Sequence, residues 1–206
     1  MKISILIMVL IITILLVISK FQWKHDININ GIEFTKVQYQ KNGKDTSYIY
    51  GQLKQTSIIN NYYCAADWIK LSKDFKVLEF CLDKDSELKN LHLKKGTWIF
   101  LNTPYTICVL PNSTIIQEYL CKGGGGKKGI QTSFYKTGEL HTFFTPENIT
   151  INNLLCKGGN LNYIELYKNG KLKQCTLAKA QSINEKNYKK NTIIRFNKKQ
   201  EIIKED

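Results

Sequence analysis

One short motif recurs six times along this chain of 206 residues, and its even spacing constrains the fold more than any other feature. VQYQKNGK places Val37, Tyr39 and Gly43 at fixed offsets. The same offsets return in IKLSKDF (Ile69, Leu71, Phe75), IFLNTPY (Ile99, Leu101, Tyr105) and TSFYKTG (Thr132, Phe134, Gly138). They return again in IELYKNG (Ile164, Leu166, Gly170) and IRFNKKQ (Ile194, Phe196, Gln200). The central residues Tyr39, Leu71, Leu101, Phe134, Leu166 and Phe196 are separated by 32, 30, 33, 32 and 30 residues. A period of this size marks a stacked supersecondary unit.

Apolar residues two apart share one face of a strand. The polar stretch closing on Gly43, Gly138 or Gly170 supplies a turn, because Asn-Gly tolerates positive φ. Past the turn the chain is apolar again, as in KVLEFCL, TICVL, ELHTFF and KLKQCTL. Each unit therefore reads as strand, tight turn, strand. Phe75, Tyr105 and Gln200 stand where the other copies carry glycine, which predicts wider or differently shaped turns there. A second marker keeps the same register: SIINNYYC ends at Cys64, TIIQEYLC at Cys121, ITINNLLC at Cys156, and LKNLHL at Leu93. It reads as a loop or short third strand leading into the next hairpin.

A lone hairpin is marginal in water, whereas stacked hairpins bury a continuous apolar face. The expected fold is all-β: an elongated antiparallel sheet or solenoid of about six repeated β-hairpins over residues 32–206, period about 32. A small β-propeller is the alternative. The KNGK turns at 41–44 and 168–171, the second within IELYKNGKLKQCTLA, resemble the bacterial MORN-like, YwqK-type repeats over roughly residues 34–204. The period here is longer, and the recurring Gly-x-Gly of MORN repeats is missing. The resemblance implies an extended sheet of β-hairpins and carries no catalytic residues.

Residues 1–19 stand apart. Lys2 precedes an apolar run from Ile3 to Ile18 broken only by Ser4 and Thr13, and Lys20, Lys24 and His25 restore polarity. This is the pattern of a signal peptide with Val17 and Ser19 before the cut. It equally fits an uncleaved transmembrane helix, at the short end of what crosses roughly 30 Å of hydrocarbon. Either way the remainder is expected outside the cytoplasm, as a membrane-anchored, periplasmic or extracellular protein of a bacterial envelope. Residues 20–31 read as a polar linker.

Six cysteines in an exported chain suggest disulfides. Sequence proximity and repeat geometry favour Cys64–Cys81, Cys108–Cys121 and Cys156–Cys175, with buried free thiols as the other reading. No Cys-x-x-Cys or histidine cluster supports a metal, and no cofactor motif is present. His25, His92 and His141 lie far apart in the repeat scheme, without a nucleophile motif beside them. KGGGGKKG at 122–129 leads into strand-like sequence rather than a helix, so it reads as a flexible basic insertion and not a phosphate loop.

The formal charge of +13 is the one global property that points to partners. Lysines crowd the turns and loops, among them Lys41 and Lys44, Lys127 and Lys128, and Lys168 and Lys171. Stacked in register, such turns present a basic stripe that attracts anionic surfaces. The expectation is a non-enzymatic surface or envelope binding module for an anionic partner, membrane contact coming through the N-terminal segment if it is uncleaved. A protein–protein scaffold is the alternative, an exported hydrolase the lesser one, and nucleic acid is not expected.

Overall fold

The computed structural model describes residues 23–42 and 45–205. The expected N-terminal helix, signal or anchor, together with Gly43 and Lys44, lies outside them. No helix among the described residues is long and apolar enough to cross a membrane. The chain forms two compact units that meet in sequence at Phe80 and Cys81.

The first unit contains strands β1 (Lys24–Ile29), β2 (Ile32–Asn42), β3 (Asp45–Leu53), β4 (Ser57–Ile59), β5 (Tyr62–Cys64), β6 (Trp68–Ser72) and β7 (Val77–Cys81). The order β1-β2-β3-β6-β7 belongs to the main antiparallel sheet, and β4 pairs with β5 in a separate small hairpin. Residues 24–29 are thus an edge strand rather than linker. The turn that folds β1 onto β2 is Asn30–Gly31, with φ of 53° and 82°, a two-residue turn whose twist matches the strands it joins.

The second unit repeats that alternation. It contains β8 (Ser86–Leu88), β9 (Leu91–Leu93), β10 (Trp98–Phe100), β11 (Thr106–Val109), β12 (Thr114–Ile116), β13 (Tyr119–Cys121), β14 (Gln131–Phe134) and β15 (Leu140–Phe143). It continues with β16 (Ile149–Ile151), β17 (Leu154–Cys156), β18 (Ile164–Leu166), β19 (Leu172–Thr176), β20 (Gln181–Ile183), β21 (Lys186–Tyr188), β22 (Ile193–Phe196) and β23 (Ile202–Glu205). Its sheet order is β10-β11-β14-β15-β18-β19-β22-β23, open at the β23 end, so it is not a closed propeller. Of the thirteen main-sheet strands, five fall in the first unit and eight in the second. All six expected hairpins are present.

The segments expected as loops or third strands are themselves hairpins. Their tips are Asn60–Asn61, Lys89–Asn90, Gln117–Glu118, Asn152–Asn153 and Asn184–Glu185, every residue at φ between 47° and 75°. Each small hairpin buries one face and exposes the other: Ile59 and Cys64 are buried while Ile58 and Tyr63 point outward. The buried face packs on the sheet, as the ring contacts Tyr62–Phe80 (4.9 Å) and Tyr119–Phe143 (5.1 Å) show. The core therefore lies between the sheet and the row of small hairpins within each unit.

The wide turns expected at Phe75 and Gln200 are not found. Phe75 N–H donates to Ser72 O and Ser72 N–H to Lys76 O, the same pair of bonds that closes Tyr135–Glu139 and Tyr167–Lys171. Phe75 (φ 58°) and Gln200 (φ 69°) simply occupy the left-handed position that Gly138 and Gly170 fill elsewhere. Gly51 has a different reason to be glycine. A Cβ there would lie 2.6 Å from Phe34 Cδ1, so its absence lets the Phe34 ring lie in the core of the first repeat.

Candidate functional site

The turns at the ends of β14–β15, β18–β19 and β22–β23 begin Tyr135-Lys136, Tyr167-Lys168 and Asn197-Lys198, so a lysine follows the first turn residue in each. Hydrogen bonds lock consecutive turns together. The Tyr135 hydroxyl donates to Leu166 O (3.0 Å), and the Tyr167 hydroxyl donates to Phe196 O (2.7 Å). The small-hairpin tips brace the same edge. Gln117 Nε2 donates to Gly138 O (3.0 Å), and Leu140 N–H donates to Gln117 Oε1 (2.9 Å).

Two open grooves result. One, of 340 Å³, is lined by Tyr135, Tyr167, Lys168, Asn169 and Lys198. The other, of 410 Å³, shares Lys168 and Asn169 with the first and includes Lys171 beside Glu118 and Glu139. The first groove is the more basic. Its lining holds no carboxylate, although Lys168 Nζ stands 3.9 Å from Glu139, an exposed pair that screens it only weakly. Lys136, itself exposed, donates to the carbonyl oxygens of Leu101 (3.0 Å) and Tyr105 (3.2 Å). Desolvation, and then the nearby charge of Lys89, holds its ammonium below the usual lysine range.

Of the six lysines expected to meet an anion, Lys168 and Lys171 reach this edge. Lys127 and Lys128 do not, because the 122–129 segment folds back on the sheet. Gly124 N–H donates to Leu110 O, a short 3-10 turn spans Gly126–Lys128, and Lys127 Nζ lies 4.9 Å from the Trp98 ring centroid. These contacts tie that stretch back to the sheet, although none of its residues is buried. Lys44 and the Lys41 side chain fall outside the described residues. Lys198, on the groove wall, is one of the turn lysines of the expected basic stripe and belongs to a motif copy without glycine.

Behind the groove is a buried polar network with no counterpart in the sequence expectations. Ser133 Oγ lies 3.0 Å from His141 Nδ1, and His141 Nε2 lies 3.1 Å from Glu165 Oε1, which also accepts from Lys173 Nζ at 2.7 Å. The His141 ring is stacked on Tyr105 (centroids 3.8 Å apart) and meets the edge of Tyr135. Burial pushes the His141 pKa down while Glu165 opposes it, and the hydrogen bond to Glu165 raises that of Lys173.

The connectivity Ser–His–carboxylate is that of a nucleophile relay. Here, however, Ser133 Oγ is also the acceptor for the Thr142 amide (3.2 Å) and is bonded to the Thr142 hydroxyl. Ser133 and His141 are both buried. A hydroxyl so fully engaged serves to tie strands together rather than to attack a substrate. Asp85, just before β8, accepts from Lys94 Nζ and the Lys95 amide, which holds its carboxyl below the usual range. Among the described residues no group of three or more His, Cys, Asp or Glu could hold a metal.

The three expected disulfides are corrected. All six cysteines are buried and none forms a disulfide. Each small hairpin docks on the sheet hairpin that follows it: Lys122 N–H donates to Phe144 O, which sets Cys121 against β15 and not against Cys108 of the preceding β11. In the next repeat the same docking, Lys157 N–H to Thr176 O, brings Cys156 to Cys175 as hydrogen-bonded thiols.

No family model, curated protein or solved structure matches this chain.

Proposed function

We propose that this is a non-enzymatic exported repeat protein that binds an anionic partner along the turn edge of its second unit. The observation that carries the reading is the 340 Å³ groove with two lysines, two tyrosines and an asparagine in its wall. The net charge of +13 raises the local concentration of anions around it, and the groove gives that attraction a shape to act on. The MORN-like likeness, which rests on the KNGK turns, agrees with a scaffold whose repeats present such an edge rather than a reaction centre. The test is retention of the full-length protein on anionic and neutral matrices at about 0.15 M salt, where long-range attraction is screened beyond roughly 8 Å. Retention on anionic matrices that falls in Lys168→Ala and Lys198→Ala supports the reading. Equal retention on neutral matrices overturns it.

The scaffold alternative has an observation of its own. Ile115 (71% exposed) and Leu120 (41%) form an outward cross-strand pair on β12–β13, and Leu161 is 91% exposed. Ile115→Ser together with Leu161→Ser, leaving anion retention intact but abolishing co-purification of a defined envelope protein, would favour it.

A further inference from the structure

The turn edge repeats at a fixed distance. Between the turns of β14–β15, β18–β19 and β22–β23, consecutive hairpins pair directly, β15 with β18 and β19 with β22. Equivalent turn residues are therefore two strand spacings apart, about 10 Å. Lys136, Lys168 and Lys198 stand at equivalent positions of these turns. Tyr135 and Tyr167, which precede the first two, are locked to the next hairpin through their hydroxyls, whereas Asn197 bonds Glu201 within its own turn. The edge is thus a short ruler of lysines whose spacing the sheet fixes.

We infer that the anionic partner is an acidic polysaccharide carrying one carboxylate or sulfate per disaccharide, lying along the turn edge with sugar rings against Tyr135 and Tyr167. This rests on the anion-binding reading above and narrows it. An extended disaccharide is about as long as two strand spacings, so successive anions of such a polymer meet successive turns without strain in either partner. The tyrosines add what a charge alone does not need. Their rings offer π faces and edges to the C–H faces of a pyranose.

The groove's 340 Å³ is at the small end of ligand clefts, about 300–1,000 Å³, and suits a sugar ring rather than a broad flat surface. Asn169 supplies both a donor and an acceptor in the groove wall, which a hydroxyl-bearing ligand can use. Because the Lys136 ammonium is taken up by the carbonyls of Leu101 and Tyr105 and does not line the groove, Lys168 and Lys198 are the ammonium groups that carry the contact.

The test uses full-length protein in a non-ionic detergent at about 0.15 M salt. It is titrated with hyaluronate octasaccharide, with polyphosphate of equal charge, and with micelles of the same detergent containing phosphatidylglycerol. The octasaccharide is expected to bind at least about tenfold more tightly than polyphosphate and to saturate where the anionic micelles do not. Lys198→Ala is expected to weaken octasaccharide binding about fivefold, with Lys198→Arg restoring it. Tyr167→Leu is expected to weaken the octasaccharide and leave polyphosphate unchanged, while Tyr167→Phe, which keeps the ring, stays close to wild type. Polyphosphate or anionic micelles binding as tightly as the octasaccharide would overturn the inference, as would Tyr167→Leu affecting both soluble probes alike with the fold intact by circular dichroism. Failure to bind any of the three probes would instead remove the anion-binding reading itself.

Discussion

His141 and Glu165 lie on neighbouring strands of the second unit with Nε2 and Oε1 3.1 Å apart, and the imidazole is held between the Tyr105 and Tyr135 rings. Two strands from different repeats, β15 and β18, are joined here by a polar contact. Its geometry makes the strength of that join depend on protons.

Desolvation keeps the folded-state pKa of His141 below its ordinary value, against the pull of Glu165. The unfolded chain therefore binds this proton more readily than the folded one. His141's contribution is complete above about pH 6.5 and is lost as pH falls through the lowered folded pKa. Urea unfolding of wild type and His141→Gln between pH 7.5 and 5 is expected to show a smaller loss of stability on acidification in the variant. Parallel pH dependences would refute this.

Gly138 and Gly170 occupy the same turn position at φ of 108° and 78°, yet a Cβ at Gly138 would lie 2.3 Å from Lys89 O while one at Gly170 meets nothing within 4 Å. Gly170→Ala is expected to cost only the left-handed backbone penalty, roughly 1–2 kcal/mol. Gly138→Ala should cost clearly more, about 3 kcal/mol, because the small-hairpin tip at Lys89 must also move. Chemical denaturation midpoints of the pair measure the difference.

The hydroxyls of Thr106 and Thr132 are buried on the core side of β11 and β14 without a hydrogen-bond partner. Replacing a buried unsatisfied hydroxyl with a methyl group of similar shape removes a desolvation cost of about 1 kcal/mol or more. Thr132→Val is expected to stabilise the protein by up to about 1 kcal/mol, read as a rise in the denaturation midpoint.

Burial pushes the thiols of Cys108 and Cys121 up to about 12, and the hydrogen bond between Cys156 and Cys175, reinforced by burial, raises Cys175 further. A thiol in that state is a poor nucleophile. Freshly purified native protein at pH 8 is expected to react with a thiol reagent at none of the six cysteines within minutes. It should react at all six once unfolded, the full count confirming that no disulfide was present. Rapid labelling of Cys121 in the native state would contradict the packing.

The repeat was legible because side-chain alternation and a fixed period survive in a single sequence. Tyr39, Leu71, Leu101, Phe134, Leu166 and Phe196 mark six hairpins that the structure contains. The small hairpins were harder to see because their tips use Asn-Asn, Lys-Asn, Gln-Glu and Asn-Glu at positive φ, where glycine would have advertised the turn. The Asn30–Gly31 turn did carry that signal, but it lay in a stretch whose polarity suggested linker. Phe75 and Gln200 misled for the converse reason, since the bonds closing their turns hold the backbone left-handed without help from glycine.

Local chemistry in the sequence thus determined the unit: alternating apolar residues, a polar turn, and a period that lets copies stack. The tertiary structure alone decided which copies touch. Docking each small hairpin on the following sheet hairpin set Cys156 against Cys175 and separated Cys108 from Cys121. Pairing across β14, β15 and β18 gathered Ser133, His141 and Glu165, and the same stacking aligned Lys168 and Lys198 on one groove. Contacts between repeats depend on register across the sheet, and register is a property of the packed core rather than of any one motif.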